Sequence, residues 1–203
     1  MKIFIWLFQP ILIRNSYTPD GCGWNWNRFR GNGSNITINL AYPDINANLF
    51  RSWSRQWNGI VSGVEITEVD HNVNNATAYV VVYEFTDQSR RGWYGYFQPL
   101  NWSLIDGGHQ NGRIGLNEQF WYEPPSYLVN HFGTMTGYRR ALVIHEVGHL
   151  LGLGHPFDVN DGGNPLCLDY AVMQSPANSR FGYVLWSTNV TEHDRVAMRR
   201  RFE

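Results

Sequence analysis

The sequence predicts a mixed α/β (α+β) fold in one domain, on three observations. Strand-like segments recur near residues 36–42, 63–69, 78–85 and 112–117, the first by alternation of apolar and polar residues and the third by a continuous apolar centre. A helix-spaced aromatic stripe falls between the first two of these segments. A longer apolar helix carrying two histidines follows the last. At 203 residues the chain can bury one sizeable core, and no break in composition marks another domain.

At the N-terminus, Lys2 and the apolar run from Ile3 to Ile13 have the charge and hydrophobicity of a secretory signal. Gln9-Pro10 interrupts the run, no small-residue cleavage site follows, and it is too short to span a bilayer. Residues 1–20 are therefore set apart as an N-terminal segment, a signal or a pro-segment, and residues 21–203 as the domain. Residues 15–35 read as loop. Ile36 to Tyr42 is a half-buried strand ended by Pro43-Asp44. Leu49, Trp53, Trp57 and Ile60 form the core-facing stripe of a first helix. Gly63 to Val69 is the second strand, and Ala78 to Phe85 a third whose apolar centre suggests cover on both faces. Residues 86–112 read as a long polar connection, Gly112 to Asn117 as a short strand, and Phe120-Trp121-Tyr122 as an aromatic stretch before a proline-containing loop.

Then comes Ala141 to His155, the stretch on which the rest is organised. His145 and His149 are four apart, so both imidazoles stand on one helix face about one 5.4 Å turn apart. Glu146 lies between them, within reach of a water but not of a shared ion. Gly152 stops the helix by taking the left-handed conformation, and the reversal brings His155 back as a third nitrogen. Three histidines with one position left open is the donor set of a catalytic zinc, whereas a structural site closes with a fourth protein ligand.

The run His145-Glu146-Val147-Gly148-His149-Leu150-Leu151-Gly152-Leu153-Gly154-His155 resembles the H-E-x-x-H-x-x-G-x-x-H mark of the metzincin zinc metalloproteases. The order of strands and helices looks most like the matrixins, with a twisted mixed sheet, an active-site helix and a C-terminal helix. The stretch around Tyr138-Arg139-Arg140, the histidine motif and Val172-Met173-Gln174 also resembles an uncharacterised bacterial metzincin-like family. The resemblance implies a zinc-dependent endopeptidase acting on a peptide or protein, with one zinc on His145, His149 and His155 and Glu146 as general base. It implies that Tyr170 to Gln174 is the methionine turn, with Met173 as an apolar floor under the site. It also implies that Gly112, Arg113, Ile114, Gly115, Leu116 and Asn117 form the cleft's upper rim, where an extended peptide adds as a strand. Residues 176–187, with Phe181, Tyr183 and Trp186, would wall the pocket for the residue after the scissile bond. The astacin and serralysin branches carry a tyrosine two residues after the methionine; here that position is Ser175.

Asp158, Asp161 and Asp169 could bind calcium but lack the regular spacing of a calcium loop, and they are read as a solvated turn. Thr191, with Glu192 and Asp194 after it and Arg199, Arg200 and Arg201 at the far end, has the cap and dipole pattern of a C-terminal helix. Cys22 and Cys167 leave three readings: a disulfide, a zinc-binding switch at Cys22 of the matrixin kind, or two free thiols. The formal net charge of -1 carries no footprint for nucleic acid, and a monomer is expected. Acceptor triplets for glycosylation at Asn32, Asn35, Asn75, Asn101 and Asn189 go with secretion. Lys2 is the only lysine, and the sequence offers no physical reason for that. Two further readings stay open from sequence: a silent binding module that keeps the fold, and a hydrolase of a restricted non-protein amide.

Overall fold

The computed structural model of the protein describes residues 16–17, 23–24, 28–29, 36–86, 92–100, 102–103, 108–109, 111–156, 171–174 and 186–202. Three two-residue strands come first: β1 (Ser16–Tyr17), β2 (Gly23–Trp24) and β3 (Arg28–Phe29). The main sheet is built from β4 (Ile36–Leu40), β5 (Ile66–Asp70), β6 (Ala78–Tyr83), β7 (Gly95–Pro99) and β10 (Gly112–Asn117) in the order β5-β4-β6-β10-β7. All neighbours are parallel except β10 and β7, which run antiparallel, so the sheet is mixed. β8 (Trp102–Ser103) and β9 (Gly108–His109) join β3 in a small separate sheet.

Helix α1 (Ala47–Ser54) is opened by Asn46, whose side chain accepts from the Leu49 amide at 3.0 Å, and it continues as a 3-10 turn over Arg55–Trp57. Its buried stripe is Phe50, Trp53, Trp57 and Ile60, not the stripe read from the sequence: Leu49 is 45% exposed. Arg51 and Arg55 reach from this helix to the Val69 and Thr67 carbonyls of β5, at 2.5 and 2.8 Å. The third strand also differs from expectation. Ala78, Val80 and Val82 are buried, but Tyr79, Val81 and Tyr83 are only partly covered, so one face carries the core.

Two short helices, α2 (Glu118–Tyr122) and α3 (Ser126–Phe132), occupy the stretch read as aromatic segment and loop. Helix α4 (Met135–Leu150) starts well before Ala141, capped by Thr134, whose hydroxyl accepts from the Gly137 amide at 2.9 Å. Its segment from Ala141 to Leu150 is buried throughout, because it lies between the sheet and the elements that follow it. Trp57 ties α1 to it, donating from Nε1 to the Ile144 carbonyl at 3.0 Å in the core. Helix α5 (Glu192–Phe202) closes the described chain, as its cap and dipole pattern predicted. Among the described residues no helix is long and apolar enough to cross a membrane.

Candidate metal centre

Gly152 decides how α4 ends. Its φ is 85°, in the left-handed region, and it donates to His149 at 2.9 Å while Leu153 donates to the Gly148 carbonyl at 3.0 Å. The reversal carries His155 back to the helix, and the side-chain nitrogens of His145, His149 and His155 all lie within 4.8 Å of one another. The Nε2 atoms of His145 and His149 are 3.0 Å apart, and those of His145 and His155 3.2 Å.

Backbone carbonyls fix the two helical rings. His145 Nδ1 is 2.8 Å from the Val172 carbonyl, and His149 Nδ1 is 2.7 Å from the Leu153 carbonyl. A carbonyl only accepts, so each Nδ1 carries the proton and each Nε2 presents a lone pair. Burial lowers the His145 pKa well below its ordinary value, and the neighbouring His149 and His155 push it the same way against the Val172 hydrogen bond. With both Nδ1 atoms turned to carbonyls, the Nε2 atoms of His145 and His149 face each other across 3.0 Å, a spacing that a shared cation accommodates. The donor set fits zinc: imidazole nitrogens, oriented by outer hydrogen bonds.

Glu146 is buried, and burial raises its pKa well above the ordinary carboxyl value. Among the described residues its Oε2 has no hydrogen-bond partner. Its Oε1 lies against the start of β7, where a Cβ on Gly95 would sit 2.6 Å from that oxygen. Glycine at 95 is what lets the edge strand come this close to the carboxyl.

Met173 is fully buried and packs on α4 at Gly148, where an added Cβ would be 2.2 Å from Sδ. Ala171 bridges to Trp186, and the Ser187 amide donates to the Ala171 carbonyl at 3.1 Å, which ties the start of this segment to the chain before α5. The Trp186 ring stands edge-on to His145 with centroids 5.5 Å apart. Asp194, on α5, is buried and accepts four hydrogen bonds: from Val172 N at 3.0 Å, Met173 N at 3.2 Å, and Thr191 N and Oγ1 at 2.8 Å each. Burial pushes the Asp194 carboxyl upward and those hydrogen bonds oppose it.

The strand expected as the upper rim is not an edge. Gly112, Arg113, Ile114, Gly115, Leu116 and Asn117 form β10, which pairs with β6 on one side and β7 on the other, so its backbone has no free side for a peptide. Its side chains are occupied as well. Ile114 and Leu116 are core, Arg113 donates to Gln98 Oε1 at 2.7 Å, and Asn117 donates to the Trp93 carbonyl at 2.9 Å. Among the described residues the strand paired on one side only, next to Glu146, is β7, which lies inside the segment read as a long connection. Gly95 and the Val172 and Leu153 carbonyls went unnoticed in the sequence, and Asp194 was read there only as part of a helix cap, from its place three residues after Thr191. Tyr183, Phe181, Ser175, Cys22, Cys167 and the acidic residues Asp158, Asp161 and Asp169 lie outside the described residues.

No family profile matches the chain. Over 105 residues it is 32% identical to the serralysin of Proteus mirabilis, a match covering 51% of this chain and 21% of that protein. Over 95 residues it is 32% identical to the metalloprotease AprA of Pseudomonas entomophila (strain L48), covering 43% of this chain and 20% of that protein. The matched region is therefore about a fifth of the length of these curated relatives. A chain from the GM1-bound form of the ECX AB5 holotoxin superposes with a TM-score of 0.50 over 84% of this chain and 81% of its own, at 16% identity. That likeness concerns the fold alone. The chain is similar to metzincin zinc metalloproteases, and these matches do not single out the matrixin branch.

Proposed function

We propose that this chain is a zinc-dependent endopeptidase, with His145, His149 and His155 holding one zinc and Glu146 as general base. The observation that carries the reading is the convergence of three imidazole nitrogens beside a buried carboxyl with an unpartnered oxygen. When bound, zinc supplies Lewis acidity that polarises the scissile carbonyl and acidifies water. The residues do the rest. Glu146 Oε2 takes a proton from water as the water oxygen adds to the carbonyl carbon, then passes it to the amine nitrogen as the C–N bond breaks. A carboxyl pushed upward by burial suits this role, because it holds the proton between the two steps. β7 gives an extended peptide a strand to pair with, and its first residue touches Glu146, which supports placing the scissile bond at that end. Met173 serves as the packed floor, and Tyr183 is retained as a pocket-wall residue. Action outside the cell and a monomeric state complete the reading.

The test is metal analysis of the purified protein together with cleavage of quenched peptides, with and without chelator. One zinc per chain and chelator-sensitive cleavage are expected. Glu146→Ala should keep zinc and fold and lose turnover, while His149→Ala should lose zinc. Full activity of Glu146→Ala would refute the mechanism. Zinc and peptide binding without turnover would favour a silent binding module, and hydrolysis confined to non-protein amides would move the substrate class.

A further inference from the structure

Both buried helical histidines donate from Nδ1 to a backbone carbonyl, and the peptide holding His145 is itself held by a carboxylate. The Val172 carbonyl and the Met173 N–H belong to one peptide group. Its oxygen accepts from His145 Nδ1 at 2.8 Å, and its N–H donates to Asp194 Oδ1 at 3.2 Å. The other carboxylate oxygen accepts from Val172 N at 3.0 Å, so both sides of residue 172 are gripped.

Resting on the metal-site reading above, we infer that Asp194 is a positioning residue for the metal ligand His145, acting through the Val172–Met173 peptide. A carboxylate on the N–H of a peptide draws that proton toward itself and leaves more negative charge on the oxygen, since hydrogen bonds in a chain polarise one another. The more negative oxygen holds the Nδ1 proton more tightly, fixes the ring, and makes Nε2 a stronger donor to a cation. In the familiar form of this support a carboxylate touches the histidine directly; here one peptide stands between them. The setting favours the effect, because His145, Asp194, Val172 and Met173 are all buried and little solvent screens the chain of bonds. It also gives the C-terminal helix a purpose in the site. Thr191 and Asp194 cap that helix reciprocally, the Thr191 hydroxyl facing the Asp194 amide at 3.4 Å, so the carboxylate is aimed by the helix start itself.

Three proteins and one spectrum test this. Wild type, Asp194→Asn and Thr191→Val are checked for fold by circular dichroism, and zinc affinity is measured by chelator competition. Asp194→Asn should bind zinc roughly 10- to 100-fold more weakly, the loss typical of removing an outer partner of a metal-bound histidine. Thr191→Val removes one hydrogen bond that aims the same carboxylate but keeps the charge and the bond from the Thr191 amide, so its loss should fall below that range. Folded Asp194→Asn with wild-type affinity would overturn the inference, as would an equal loss in Thr191→Val. If Asp194→Asn does not fold, the wild-type chain answers alone. On adding zinc to the metal-free protein, the Met173 amide proton should move downfield, and an unmoved resonance would overturn the inference. A wild-type chain that takes up no zinc refutes the metalloprotease reading itself, a result separate from all of these.

Discussion

Gly148→Ala tests the packing of the methionine segment on the ligand helix. The added methyl would lie 2.2 Å from Met173 Sδ, 3.1 Å from Met173 Cε and 3.0 Å from a ring carbon of Trp57. Carbon and sulfur rest at about 3.5–4.0 Å, so the sulfur must retreat by roughly 1.5 Å in a core with no room to spare. Overpacking of this kind costs about 1–3 kcal/mol. In a domain this size that is a fall of roughly 2–12 °C in melting temperature, measured by thermal or urea unfolding. Alanine favours the helix backbone over glycine by about 1 kcal/mol, which sets the lower end of the net loss near zero. A double-mutant cycle removes that ambiguity. Met173→Ala alone should cost about 2–5 kcal/mol through the cavity it leaves. In the Met173→Ala background the extra methyl has space, so Gly148→Ala should cost less there by about 0.5–3 kcal/mol. An identical cost in both backgrounds would refute the contact, and with it the account of why glycine stands at 148.

Gly95→Ala should keep zinc and stability near wild type yet cut kcat, because the new methyl would lie 2.6 Å from Glu146 Oε1 and displace the carboxyl; undiminished turnover would show that the edge strand does not position it. In the metal-free protein Glu146 keeps a proton above its ordinary 4.5 that the unfolded chain releases, so its contribution to stability falls as pH rises through that window. Glu146→Gln should therefore gain stability relative to wild type above pH 4.5 and lose that advantage below it, as read from melting temperatures across pH. His145 has the opposite sign: its pKa is depressed, so stability falls as pH drops below 6.5, equally in wild type and Glu146→Gln.

The sequence carried what depends on short-range spacing. Histidines at 145 and 149, the stop at Gly152 and the cap at Thr191 are local geometry and could be read directly. Leu49 and Phe50 were exchanged because adjacent residues on a helix differ by 100°, and the tertiary contact that chooses between them is not local. β7 was missed for a related reason. Gly95-Tyr96-Phe97-Gln98-Pro99 lacks clean alternation and ends in proline, and only its pairing with Gly112–Leu116 makes it a strand. The same pairing leaves β10 without a free edge. The supports of the histidines were hidden because they are backbone carbonyls, which every residue has, at positions set by the fold. Asp194 was recognised as part of a cap, but its reach to Val172 and Met173 crosses from one element to another.

The two borders of the main sheet are unequal, and this bears on polymerisation. On β5, the Thr67 and Val69 carbonyls are taken by the guanidinium groups of Arg55 and Arg51, and Glu68 and Asp70 stand exposed beside them. A further strand arriving there would meet occupied acceptors and two negative charges, which guards the border against stacking. Among the described residues nothing guards β7 in that way, but it is five residues long and its last residue, Pro99, has no N–H to give. Chain growth by sheet extension needs two open borders on every molecule. With one, extension ends at a pair at most, so a sheet with a single open border does not grow into fibres.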